Sequence, residues 1–238
     1  MQSSTAETGL NRYYPLFVSM TGRDCLIVGG GSVGERKARR LLDYGARVCL
    51  VAERLSPWFQ DQLDHRRISL LGTRYTAHLL EGMSLVFAAT NDKLTNRRIA
   101  EDARRMGVWC NMATDPELGD FLLPSIYEQG PLCIAFSTGG MAPGVAKLIR
   151  EQFERDFGPE WISTLHFLGR LRKVVKSLEL SESETQRIFT ELADLSIHSR
   201  ILKMDHEGMI ESVTAVCQPR IDADQIRALW EDAWKQFS

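Results

Sequence analysis

The stretch Gly29-Gly30-Gly31-Ser32-Val33-Gly34 constrains this chain more than any other, because of what flanks it. Before it runs the apolar Cys25-Leu26-Ile27-Val28. After it comes a charged segment in which Ala38, Leu41 and Leu42 recur at helical spacing. A chain that leaves a strand, turns tightly and enters a helix needs glycine where φ turns positive or where backbone meets backbone, and G-x-G-x-x-G supplies it. Gly45 marks the stop of that helix, and the apolar run 48–51 follows as a second strand. Strand, helix and strand at this spacing require a parallel pair joined by a right-handed crossover.

Further apolar runs at 68–71, 85–89 and 108–110 read as three more short strands, with helical patterns between several of them. The expected fold class is therefore α/β, with a Rossmann-like parallel-sheet domain over residues 12–113. A strand-containing segment, 114–150, comes next: two runs flank Gln129-Gly130-Pro131 as a hairpin, and a glycine-proline loop leads to a helix from about Pro143. Residues 151–238 read as a helical C-terminal module that ends in an amphipathic helix carrying Ile226, Leu229, Trp230 and Phe237. Residues 1–11 are expected to be mobile.

A glycine loop that opens a helix presents free backbone N–H groups and the positive end of a dipole to a pyrophosphate. Gly29, Gly31 and Gly34 are thus candidate nucleotide residues. The acid expected on the adenosine ribose falls at Glu53, 19 residues after Gly34. Its neighbour Arg54 could meet a 2′-phosphate instead, but Glu53 would repel that phosphate, so NAD is favoured over NADP. Thr90 and Asn91 end another strand, at the carboxyl edge where open α/β sheets take their ligands. Their alternative role is to cap the helix that starts near Lys93.

Several classes are excluded or unsupported. The apolar runs fall far short of the roughly 20 residues that span a membrane, and the first ten residues lack the pattern of a secretory signal. The expected location is the cytoplasm. Arg36, Lys37, Arg39 and Arg40 crowd one short helix and draw no nucleic-acid stripe. Residues 1–150 carry 18 Lys+Arg against 15 Asp+Glu, a balance of +3, whereas 151–238 carry 11 against 16, a balance of −5. An anionic ligand is better received by the first part. Five cysteines form no CxxC pair; Cys25, Cys49 and Cys133 are expected as buried core residues. The five histidines show no ligand spacing, so no metal site is signalled, and His166 is expected to be structural.

Taken together, "YYPLFVSMTGRDCLIVGGGSVGERKARRLL", "VFAATND" and "CNMATDPELGDFLLPSIYEQGPLCIAFSTGGMAPGVAKLIRE" resemble the precorrin-2 dehydrogenase family, also called the siroheme synthase N-terminal domain family. The resemblance covers residues 13–155 continuously and the helical tail more loosely. It implies NAD-dependent removal of two hydrogens from precorrin-2 to give sirohydrochlorin, by a homodimer that exchanges a middle segment. The 114–150 segment would then serve dimerisation and substrate binding. By position in the motif, Ser32 and Val33 join the glycine-loop contacts to NAD, and Glu53 with Arg54 lie near the ribose.

One departure touches the mechanism. Family sequences often read N-V-V-D-x-P, and the resemblance gives that aspartate the catalytic and chelating role. Here the row is Asn111-Met112-Ala113-Thr114-Asp115-Pro116, with Thr114 at that place. Threonine is no general base at neutral pH, so Asp115 becomes the catalytic candidate, with capping of a turn as its alternative role. Asn111 and Thr114 are candidate substrate contacts. So are Ser137, Thr138 and Gly139, in a loop that leads with Gly140 to a helix N-terminus suited to a carboxylate. Two other functions stay open: a bifunctional dehydrogenase and chelatase, and a sensor or carrier that binds NAD or a tetrapyrrole without catalysis.

Overall fold

β1 (Asp24–Val28) sets the pattern of the N-terminal part. Cys25 and Ile27 belong to one apolar cluster, Leu26 and Val28 to another, and all four are buried. A strand that is apolar on both faces belongs inside a parallel sheet covered by helices on both sides. The computed structural model, which describes residues 13–235, has that sheet. After β1 come α1 (Ser32–Asp43), β2 (Arg47–Val51), α2 (Pro57–Asp64) and β3 (Ile68–Gly72), then β4 (Leu85–Ala88), α3 (Lys93–Met106) and β5 (Trp109–Met112). The expectations for residues 1–11 and Phe237 lie outside the described residues.

The strand order is β3-β2-β1-β4-β5, with every pair parallel. The winding reverses between β1 and β4, and ligands of open α/β sheets settle at such a switch point. The register makes the place sharper. Val51, Val28, Ala88 and Met112 are successive partners across four strands, so the loops that follow them leave the sheet level with one another. Ala38, Leu41 and Phe59 from α1 and α2 pack on one face, and Ile99 and Ala103 from α3 on the other. The helix ends obey local rules. Gly45, at φ +74°, closes α1, with its N–H on Leu42 O and the next N–H on Leu41 O. Ser56 caps α2 ahead of Pro57, and Asp92 caps α3 through the N–H groups of Leu94 and Thr95.

The described residues divide into two compact units: 13–123 with Gly139–Met141, and Pro124–Thr138 with 142–235. In the second unit β6 (Ser125–Gln129) and β7 (Leu132–Phe136) form the expected antiparallel hairpin around Gly130 and Pro131. Gly130 has φ +56°, and a Cβ there would lie 3.0 Å from Ile162. Six helices follow: α4 (Pro143–Asp156), α5 (Glu160–Ser177), α6 (Glu182–Asp194), α7 (Ile197–Leu202), α8 (His206–Cys217) and α9 (Ala223–Trp234). Their core gathers Phe167, Leu171 and Val175 of α5 with Met209 and Val213 of α8 and Ile226 and Trp230 of α9. Capping boxes start α6 and α9, and His166 sits half-buried on α5.

None of the five cysteines, all of them among the described residues, forms a disulfide. Cys25, Cys110 and Cys217 are buried, and burial pushes their thiols up to about 12, about 12 and about 11. Cys49 and Cys133 are only half-buried, which corrects their expected place in the core; Cys49 packs against its cluster from the side. Among the described residues no helix is long and apolar enough to cross a membrane.

Candidate functional site

A cleft of about 690 Å³ opens at the switch point, within the first unit. Backbone builds most of it. Gly29, at φ +121°, donates its N–H to Val51 O (2.9 Å), and a Cβ there would stand 2.3 Å from Ala89 O. A Cβ on Gly30 would meet Arg54 O at 2.1 Å, and one on Gly34 would meet Gly29 O at 2.1 Å. Gly31 differs: a Cβ there would have nothing within 4 Å. The protein's own packing therefore does not require glycine at position 31, and the space before it is free for ligand atoms. The helical ladder begins with Glu35 N–H on Gly31 O, which leaves the amides of Ser32, Val33 and Gly34 ahead of it as an anion site. A pyrophosphate fits this cradle.

Of the nucleotide candidates, Gly29, Gly31, Glu53, Arg54, Thr90 and Asn91 line the cleft. Ser32 and Val33 are exposed beside it, and Gly34 is buried where helix packs on strand. Glu53 and Arg54 are exposed and make no hydrogen bond or ion pair among the described residues. Sequence reasoning missed Ser56, Arg74 and Tyr75. Ser56 ties the β2 loop to the glycine loop, with its N–H on Gly30 O (2.9 Å) and its hydroxyl on Glu35 Oε2 (2.6 Å). That hydroxyl and then Arg39 hold the Glu35 carboxyl below its ordinary range. Tyr75 donates to Asp102 Oδ2 at 3.1 Å; burial and then Asp102 push its pKa up. Both Arg74 and Tyr75 follow β3, so the rule that ligands gather beyond carboxyl ends was the available signal.

The next loops are joined by Asn96, a fully buried residue that sequence reasoning also missed. Its Oδ1 accepts from Thr90 N–H (3.2 Å) and the Thr90 hydroxyl (2.7 Å), and its Nδ2 donates to Thr90 O (2.9 Å) and Thr114 Oγ1 (3.5 Å). Capping of α3 falls to Asp92, not to Thr90 or Asn91.

Beyond β5, Thr114 is exposed and Asp115 half-buried. Asp115 precedes a 3-10 turn, Pro116–Leu118, but its side chain makes no capping bond there. Both residues border a second recess of about 80 Å³ with Lys93, Arg97 and Met112. Asn111 is turned inward: it is buried, and its Nδ2 donates to Phe121 O (2.9 Å). Cys110 N–H donates to Asp120 Oδ2 and Asp120 N–H to Cys110 O, both at 2.8 Å, so Asn111 and Asp120 clamp the returning loop onto β5. Phe121 meets Phe87 edge-on at 5.7 Å, and the Lys37 ammonium lies 5.9 Å from the Phe87 ring. Burial first, then Arg36 and Arg40, lowers the Lys37 pKa to about 8.

In the second unit Ser137 is exposed, while Thr138 Oγ1 accepts from Ala142 N–H at 3.1 Å and so clamps the loop before α4. Gly139 and Gly140, which group with the first unit, are both left-handed, at φ +63° and +87°. Among the described residues no three His, Cys, Asp or Glu side chains gather as metal ligands.

Comparison with known proteins gives this geometry a family. Residues 16–125 match the profile described as putative NAD(P)-binding, and 129–156 match the sirohaem biosynthesis protein central profile, together more than half of the chain. A siroheme synthase 2 of Klebsiella pneumoniae subsp. pneumoniae is 36% identical over 180 residues, covering 76% of this chain and 39% of that protein. The siroheme synthase of Escherichia coli (strain SE11) is 37% identical over the same shares. The chain belongs to the siroheme synthase N-terminal domain family. Its first unit is accordingly an NAD(P)-binding domain. It spans about two fifths of the length of the curated relatives it matches. Among solved structures, one titled SirC, precorrin-2 dehydrogenase, superposes with a TM-score of 0.69 at 22% identity, over 86% of this chain and 98% of that one, a likeness of fold. The blocks that carry the siroheme synthase family resemblance prove partly architectural, since Asn111 and Asp120 of this member clamp a loop.

Proposed function

We propose that this chain is a precorrin-2 dehydrogenase that uses NAD+. The reaction takes two hydrogens from precorrin-2, one leaving as hydride and one as a proton, to give sirohydrochlorin and NADH. The observation that carries the proposal is the free space at Gly31, in a chain that also bears the sirohaem central block. NAD+, when bound, supplies the hydride acceptor. The amides of Ser32, Val33 and Gly34 hold the pyrophosphate, Glu53 accepts from a ribose hydroxyl, and its charge disfavours the 2′-phosphate of NADP. Thr90 and Asn91, which line the same cleft, would contact the cofactor as well. Asp115, whose carboxylate makes no hydrogen bond or ion pair among the described residues, accepts the proton. Thr114 contacts substrate, Asn111 keeps its loop in place, and the Ser137-Thr138-Gly139 loop takes a substrate carboxylate.

The three-part division into 12–113, 114–150 and 151–238 assigns cofactor binding, dimerisation with substrate contact, and the helical module. Val145, Leu148 and Ile149 form an exposed apolar stripe on α4, with Leu148 65% exposed, which supports burial against a second copy. We assign the homodimer to the cytoplasm.

Anaerobic mixing of the protein with precorrin-2 and NAD+, without metal, is the test. Sirohydrochlorin and NADH are expected in equal amounts, and Asp115→Asn is expected to lower kcat about a hundredfold with NAD+ affinity unchanged. Full turnover by Asp115→Asn overturns the assignment of the base. Thr114, in place of the family aspartate, favours one rival: a binding protein without catalysis. Tight NAD+ binding with no turnover by the wild type would select it.

A further inference from the structure

α3 carries five cations, and they are not used alike. Arg98 and Arg105 turn to Asp102, Arg98 at 3.8 Å and Arg105 more closely. Lys93 and Arg97, one turn apart, pair with no carboxylate among the described residues. They line the 80 Å³ recess together with Asp115, which is equally unpartnered. Three charged side chains thus border one recess without satisfying one another, and their formal sum is +1.

Stability does not account for this arrangement. Lys93 is the first residue of α3, where the positive end of the helix dipole disfavours a cation, and Arg97 repels it from the next turn. An incoming anion relieves both penalties. The recess is far smaller than the neighbouring cleft and suits one small group, not a ring system. Its distance from the cofactor cleft is set by Asn96, which holds Thr90 of the larger cavity and Thr114 of the smaller.

We propose that Lys93 and Arg97 form a docking subsite for one carboxylate arm of the tetrapyrrole, seated beside Asp115. The proposal rests on the tetrapyrrole reading above. The guanidinium fork of Arg97 takes the plane of the carboxylate, and the ammonium of Lys93 adds a point charge. Asp115 is left free to face the part of the substrate that loses its proton.

The test compares wild type, Lys93→Gln/Arg97→Gln, the swap Lys93→Arg/Arg97→Lys, and Arg67→Gln/Arg104→Gln, which removes equal charge from exposed positions outside both recesses. Each is assayed with precorrin-2 and NAD+ and titrated separately with uroporphyrin, a stable polycarboxylate tetrapyrrole. The Gln pair is expected to raise the precorrin-2 KM about tenfold with kcat within about twofold and NAD+ affinity unchanged. The swap should recover most of the loss, and the control pair should change nothing. Unchanged KM in the Gln pair, or an equal rise in the control, overturns the subsite. If the wild type shows no turnover, uroporphyrin affinity decides: loss confined to the Gln pair keeps the subsite while the dehydrogenase falls, and no binding by the wild type overturns both.

Discussion

The two recesses at the carboxyl edge of the sheet differ in what builds them. The larger is shaped by backbone: Gly29, Gly30 and Gly34 sit where a Cβ would strike a carbonyl oxygen, and its floor is the level ends of β1, β2 and β4. The smaller is shaped by side chains: Lys93, Arg97, Met112, Thr114 and Asp115. Backbone sites admit almost no change, whereas side-chain sites can trade residues while the frame stands. The position where the family motif departs, Thr114, lies in the second kind of site.

The sharpest way to break this comparison is Gly29→Ala. A methyl group 2.3 Å from Ala89 O, at a φ that side chains avoid, should cost about 4 kcal/mol or more and remove the cooperative melt of the first unit. Asn96→Ala comes next. It strips partners from Thr90 and Thr114, and a loss of about 2–3 kcal/mol in chemical denaturation is expected, with both NAD+ affinity and turnover reduced. Gly31→Ala should leave the melting temperature within about 2 °C yet weaken NAD+ binding about tenfold by calorimetry, because only the ligand needs that space.

The smallest effect concerns Lys37. The folded chain releases this proton near pH 8 and the unfolded chain holds it to about 10.5, so the unfolded state binds more protons between those values. Stability from this group therefore rises as pH climbs through that window. Lys37→Met should melt higher than wild type at pH 7, and the advantage should narrow by pH 10.

The strand and helix pattern was legible because each element repeats its apolar residues at its own period: Cys25 and Ile27 against Leu26 and Val28, or Ala38 with Leu41. The glycine loop was legible for a similar reason, since its spacing answers a local need of the chain. Asn96 was not. It stands among polar neighbours in Lys93-Leu94-Thr95-Asn96-Arg97, and only the parallel register of β4 and β5 brings Thr90 and Thr114 to it. Asn111 shows the converse, a residue in a family block whose side chain the fold turns inward. Nothing in the sequence sets Lys93 and Arg97 apart from Arg98 and Arg105; only the pairing of the latter two with Asp102 does.

The tie from Ser56 to Gly30 reaches one residue pair further than the loop it holds. Trp58 follows two positions later, with the Arg39 guanidinium 4.3 Å from its ring, and Arg39 grips the same Glu35 that takes the Ser56 hydroxyl. The indole is thus linked to the glycine loop through Arg39, Glu35 and Ser56, and its emission should respond when a phosphate binds there. Trp109 shares the first unit, on β5, and Trp161, Trp230 and Trp234 belong to the other, so in a Trp109→Phe background Trp58 is the first unit's own optical gauge of cofactor arrival.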